Sequence, residues 1–181
     1  MSQDFTEKTL SSTVVYSGEF LEVRRDQSML IDGAGASREV VIHPGASMII
    51  PIFNDHTILL ENQYRYAVGS HCLEFPAGKR DNGETTLETA RRELLEETGY
   101  VAEFWKEVMM VHPGVGYTNE RITIFIAQQL EMRTPSRDDG ELLETIRMSI
   151  DEAFLRLKSG SITDAKTIIG LFMVRDYCKK K

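Results

Sequence analysis

The stretch from Gly78 to Tyr100 constrains this chain most: a glycine-bearing loop runs into a helix crowded with acidic residues. Thr85 followed by Glu88 forms a capping box at the helix start, and Gly99 stands where the helix should stop. At about 100° per residue, Leu87, Ala90, Leu94 and Thr98 share one stripe that can face a core. Glu93 and Glu97 are one helical turn apart on the flank of that stripe, with Glu96 close by. Like charges at this spacing cost an isolated helix roughly a few tenths of a kcal/mol. The arrangement calls for a cation, and a divalent metal, which takes hard oxygen ligands, would meet the need.

A chain of 181 residues suffices for one domain with a proper core, or for a core plus a small appendage. Its apolar fraction of 41% and charged fraction of 27% are those of an ordinary soluble protein. The net charge of −7 argues against a general nucleic-acid binder, yet leaves room for one nucleotide held through metal ions. Cys72 and Cys178 lack zinc-site spacing and are too few for a disulfide framework. They read as free thiols in a reducing cytoplasm. The N-terminus shows no basic start followed by an apolar run, and no stretch approaches the ~18 apolar residues of a membrane span.

Residues 1–12 are polar and expected to be loosely held. Val14–Tyr16, Phe20–Arg25, Gln27–Ile31 and Arg38–Ile42 read as short antiparallel strands, parted by turns at Ser17-Gly18 and Asp32-Gly33. A meander of this size is marginal alone, so residues 1–44 are expected to dock on the main body or on a second subunit. In residues 45–181, Ser47–Phe53 and Thr57–Glu61 read as a hairpin across Asn54-Asp55-His56. Cys72–Phe75, Glu103–His112, Arg121–Leu130 and Thr145–Ile150 are further strand candidates. Asp151 can cap a helix reaching Lys158, and Thr163–Tyr177 is another helix, with Ala165, Ile168, Ile169 and Phe172 at core spacing. Strands and helices interspersed in this way give an α/β (α+β) class: a mixed sheet covered by helices.

Gly78, Glu84, Arg92, Glu93, Leu94, Glu96, Glu97 and Gly99 match without a gap the G-x5-E-x7-R-E-U-x-E-E-x-G-U signature, and so the chain resembles the Nudix hydrolases. Tyr100 departs softly from the aliphatic residue usual at the last position. Seven fixed residues at ~7% usage each would coincide about once in 10⁸ windows. Around the signature, Tyr16-Ser17-Gly18 with Phe20, Arg38-Glu39-Val40-Val41, Pro44-Gly45-Ala46, Gln63-Tyr64-Arg65-Tyr66, Glu74-Phe75-Pro76-Ala77-Gly78 and His112-Pro113-Gly114 look like the branch acting on ADP-ribose and related nucleoside diphosphate sugars.

That resemblance implies a Nudix fold, with a mixed sheet between helices, and a homodimer whose N-terminal strands are exchanged. It implies Mg²⁺-dependent (or Mn²⁺-dependent) hydrolysis of a diphosphate bond by water, with two or three ions per site. Glu93 and Glu97 would be the primary ligands together with the Ala77 carbonyl. Glu96 would bind an ion through water or share one, so Glu96 and Glu97 count among the catalytic carboxylates. Arg92 would orient them, Glu84 would brace the loop, and Gly78 and Gly99 would shape the motif. The general base would come from a late loop, as Glu141 or its neighbour Glu144. Arg65 would reach the diphosphate or terminal sugar, and Glu74 would also bind substrate. Glu120 would contact metal or ribose, or simply cap the next strand. Tyr16, Phe20, Tyr64 and Tyr117 could stack on a base, although aromatics at strand spacing are more often core. His112 could serve as a base, but beside Pro113 a packing or loop-shaping role is expected. No nucleic-acid or membrane partner is implied. The alternatives are a Nudix hydrolase of GDP-mannose, NADH or a dinucleoside polyphosphate, or a non-catalytic domain that senses ADP-ribose.

Overall fold

The structure, a computed structural model, describes residues 4–19, 21–133 and 142–179. The chain divides into two compact units, Met1–Pro44 with Gly114–Arg121, and Gly45–Pro113 with Ile122–Lys181.

The first unit is an antiparallel sheet of β1 (Lys8–Ser17), β2 (Glu22–Met29) and β3 (Gly35–Ile42), in that order. The chain before Thr13, expected to be loose, is strand from Lys8 onward, because its backbone pairs with β2 from Met29 back to Glu22. The two strand candidates between Phe20 and Ile31 are the single strand β2. Arg38 pairs with Glu7 at 2.7 Å, and the Ser28 hydroxyl donates to the same carboxylate at 2.8 Å. The segment Gly114–Arg121 is stitched to β3 by the Val41 N–H, which donates to the Tyr117 carbonyl. The Asn119 side-chain oxygen accepts the His43 N–H at 2.8 Å. Every residue of β1 is exposed.

In the second unit, β4 (Ala46–Pro51), β5 (Thr57–Arg65), β6 (Ser70–Glu74), β7 (Ala77–Lys79), β8 (Tyr100–Val111), β9 (Ile122–Met132) and β10 (Leu143–Ser149) form two sheets, ordered β7-β4-β9-β8 and β10-β5-β6. Three helices complete it: α1 (Thr86–Thr98), α2 (Ile150–Lys158) and α3 (Ala165–Cys178). Strand β4 is buried throughout and runs parallel to β9 and antiparallel to β7. Continuous burial of this kind is what a strand covered on both faces requires. Met48, Ile50, Ile124 and Ile126 join Ile58 and Leu60 of β5 and Leu171 and Val174 of α3 in the main core. On the opposite face Ile49, Phe125 and Ala127 pack on Ala90 and Leu94 of α1.

Three expectations need correction. The hairpin of β4 and β5 is not a ladder: the strands lie in different sheets and share one bridge, Ile52 with Ile58. A tight turn brings two strands close, but β4 has both of its edges taken by β7 and β9. Helix α2 starts two residues earlier, capped by the Ser149 hydroxyl, which accepts the Glu152 N–H, rather than by Asp151. Helix α3 buries Thr167, Gly170, Leu171 and Val174, while Phe172 is exposed and rests on Phe154 and Arg175. Among the described residues no helix is long and apolar enough to cross a membrane.

Candidate active site

The acidic helix is built as its sequence dictates. The Thr85 side chain accepts the Glu88 N–H at 3.3 Å, and the Glu88 carboxylate accepts the Thr85 N–H at 2.7 Å, which closes the capping box. Gly99 ends the helix at φ 75°, a left-handed conformation that glycine adopts without a Cβ penalty. The buried hydroxyl of Ser47 donates to the Thr86 carbonyl at 2.7 Å and fixes the start of α1 on β4. Leu94 and Ala90 are fully buried, and Glu93 and Glu97 beside them are 8% and 3% exposed.

The cation demanded by these acids is present in the chain itself. The Nη1 of Arg92 donates to Glu93 at 2.8 Å and to Glu96 at 3.0 Å. Its Nε and Nη2 grip Glu84 at 2.9 and 3.0 Å, and Nη2 also donates to the Lys79 carbonyl at 3.0 Å. A guanidinium has five N–H groups, so all of them are used. The Arg92 pair is the largest of the effects that hold the Glu84 carboxyl down at about 2. Glu84 also takes the Asp81 N–H at 3.0 Å and the Thr89 hydroxyl at 2.8 Å, which joins loop to helix.

The loop strand β7 passes close to these carboxylates. A Cβ built on Gly78 would fall 1.8 Å from the Glu93 Oε1, so any larger residue would displace that carboxylate. The Ala77 N–H donates to Glu97 at 3.0 Å. Among the described residues no three His, Cys, Asp or Glu side chains converge on one ion position, since Arg92 draws Glu93 and Glu96 to itself. The donor set nevertheless suits a hard divalent ion: carboxylate oxygens of Glu93, Glu96 and Glu97 beside a glycine that leaves their approach clear.

Arg65, at the end of β5, is held by Glu74 of β6 through a two-point grip, Nε to Oε1 at 2.8 Å and Nη2 to Oε2 at 3.0 Å. Lys166 of α3 pairs with the same carboxylate and, at 3.0 Å, with Asp164. Burial raises the Glu74 carboxyl, but the Arg65 and Lys166 partners outweigh it and keep the group below its ordinary value. Arg65 is raised in turn, chiefly by Glu74 and further by the charges of Glu61 and Glu97. The sequence marks Arg65 and Glu74 for substrate binding, but not as partners, and gives no role to Lys166. A signal existed, because a lysine in the first turn of a helix opposes the helix dipole and needs a partner.

The other expected residues are placed as follows. Glu144 faces Asn62 across the β10–β5 ladder and is exposed, with no hydrogen bond or ion pair among the described residues. Glu141 and Phe20 lie outside the described residues. Glu120 belongs to the first unit, where its N–H donates to Thr118 and its carboxylate stands 3.8 Å from His43. Tyr16, Tyr64 and Tyr117 are exposed rather than core, and Tyr64 meets His71 edge-on.

A loop–helix motif that gathers three glutamates around one arginine, with Glu97 beside them, carried on a sheet packed between helices, defines a class. Residues 43–169 match the NUDIX domain, and the chain belongs to the Nudix family. It is 34% identical over 173 residues to a methanol dehydrogenase activator of Bacillus methanolicus, covering 94% of each chain. It is 31% identical over 163 residues to an ADP-ribose pyrophosphatase of Bacillus subtilis, covering 89% of this chain and 88% of the relative. A crystal structure of an ADP compounds hydrolase shares the fold with a TM-score of 0.88 at 26% identity, over 99% of this chain and 98% of the other.

Proposed function

We propose that this protein hydrolyses the diphosphate bond of ADP-ribose or a related nucleoside diphosphate sugar, giving a nucleoside monophosphate and a sugar phosphate. The observation that carries the reading is the complete acidic motif, with Arg92 satisfying Glu84, Glu93 and Glu96 at once. The names of the relatives from Bacillus subtilis, Mycobacterium tuberculosis and mouse, all pyrophosphatases of ADP-ribose or ADP-sugars, support the substrate class.

The family depends on divalent metal, and Mg²⁺, in two or three ions, is our choice. Glu93 and Glu97 would hold it, with Glu96 and the Ala77 carbonyl. When bound, such ions neutralise the diphosphate and lower the pKa of the attacking water. Arg92 and Glu84 keep the carboxylates in register, and Arg65 offers donors to a phosphate oxygen. Glu141, or Glu144 on β10, would take the proton of the attacking water, and Glu120 would assist on the ribose side. The fully exposed strand β1, with Leu10, Val14 and Tyr16 between 50% and 58% exposed, favours a homodimer built on the first unit and supports its role in substrate binding. Cys72 and Cys178, not joined in a disulfide, agree with a cytoplasmic setting.

The experiment is direct. AMP and ribose 5-phosphate are followed from ADP-ribose with and without Mg²⁺, for the wild type and for Glu97→Gln. Turnover should require the metal and fall by orders of magnitude in the variant. Full activity in Glu97→Gln would sink the metal assignment. A second reading, regulation of a partner enzyme, has one observation behind it, the relative named as an activator. Tight ADP-ribose binding without turnover in Mg²⁺ or Mn²⁺ would favour it.

A further inference from the structure

We infer that Lys166 is a positioning residue: through the buried carboxylate of Glu74 it fixes the guanidinium of Arg65 against the cleft at the first turn of α3, where Arg65 receives a phosphate of the substrate. Only the identity of that anion rests on the function proposed above. The side chain of Glu74 is 3% exposed. Directly opposite it in the β5–β6 ladder stands Glu61, fully buried. A carboxylate buried beside another charge carries a desolvation penalty that close cations offset. Arg65 and Lys166 both pair with Glu74.

The geometry assigns the two cations different tasks. Arg65 spends Nε and Nη2 on Glu74, and its Nη1 makes no hydrogen bond to the described residues. That leaves two N–H groups on a guanidinium that lines an open cleft of about 580 Å³, shared with Cys72, Glu74 and Lys166. A fork held along one edge with donors left over suits phosphate oxygens. Lys166 instead turns to Glu74 and Asp164. The first turn of α3 is anchored for this task. Asp164 caps it by accepting the Thr167 N–H at 2.9 Å, and the Thr167 hydroxyl accepts the buried Phe75 N–H at 2.9 Å. Lys166 and Thr167 therefore grip the adjacent residues Glu74 and Phe75, so the helix start and the strand end are registered together. Without Lys166 nothing ties the Glu74 carboxylate to the start of α3, and the pair it forms with Arg65 is no longer held in one position.

The test uses the full chain with Mg²⁺ and ADP-ribose. Lys166→Met should raise KM about tenfold, the value of one charge-assisted contact, with kcat within about threefold. Lys166→Arg should return KM to within about threefold of the wild type. In an Arg65→Met background, Lys166→Met should add nothing further. A folded Lys166→Met with wild-type KM, or an equal loss with and without Arg65, overturns the inference. Should Lys166→Met fail to fold, Lys166→Gln carries the same comparison. A readout without turnover separates the two proposals: the Arg65 Nε–H resonance in the substrate-free protein should be sharp in the wild type and broadened in Lys166→Met. An unchanged resonance overturns the positioning role. A wild type that hydrolyses no nucleoside diphosphate sugar overturns the functional reading alone.

Discussion

Replacing Arg92 with lysine tests the centre of the motif most directly. The guanidinium makes five hydrogen bonds, two to Glu84 and one each to Glu93, Glu96 and the Lys79 carbonyl. An ammonium has three donors at a single point and cannot span acceptors that lie around a planar fork. At least two bonds to charged partners are lost, each worth about 1.5–3 kcal/mol when shielded from water. Arg92 is 26% exposed and Glu84 21%, so solvent screening reduces that sum. A loss of about 2–3 kcal/mol is expected, equivalent to roughly 5–10 °C in Tm for a chain of this size. The measurement is urea unfolding at pH 7, repeated down to pH 2. The sign of the pH effect follows from Glu84, whose folded value is depressed to about 2 from 4.5. Its contribution is present above 4.5 and is lost as the pH falls toward 2. Wild type and Arg92→Lys should therefore converge over that interval. Equal stability at pH 7, or a gap that stays constant down to pH 2, would refute the five-bond hub.

Other substitutions probe single contacts. Gly78→Ala sets a Cβ 1.8 Å from the Glu93 carboxylate, which must move, so kcat/KM should fall about a hundredfold while the circular dichroism spectrum is kept. Thr85→Ala removes half of the capping box and should cost about 1 kcal/mol in chemical denaturation. Thr167→Val leaves the Phe75 N–H buried without its acceptor and should cost about 1–3 kcal/mol, whereas Thr167→Ser, which keeps the hydroxyl, should stay close to wild type on the same urea curve.

What the sequence determined by itself was local and periodic. Thr85, Glu88 and Gly99 fix where α1 begins and ends through contacts within a few residues, and the stripe Ala90, Leu94, Thr98 gives its buried face. The spacing from Gly78 to Gly99 was enough for the family, because it encodes one loop and one helix. The tertiary structure decided everything that depends on a distant partner. Strand β4 pairs with β9, far along the chain, and no pattern in either strand names the other. On α3 the apolar spacing holds for Ile168 and Ile169, which pack against the core, but not for Phe172, which is exposed; Thr167 and Gly170, turned toward Phe75 and Met48, are the more deeply buried residues. The partner of Arg65 is Glu74, which its side chain reaches along the sheet although the register sets Arg65 opposite Ser70, and Lys166 arrives from a helix nearly a hundred residues further on. The glutamates from Glu93 to Glu97 needed a cation on charge grounds alone; only the folded loop reveals that Arg92 holds Glu93 and Glu96, that the Ala77 N–H donates to Glu97, and that Gly78 lies close against Glu93.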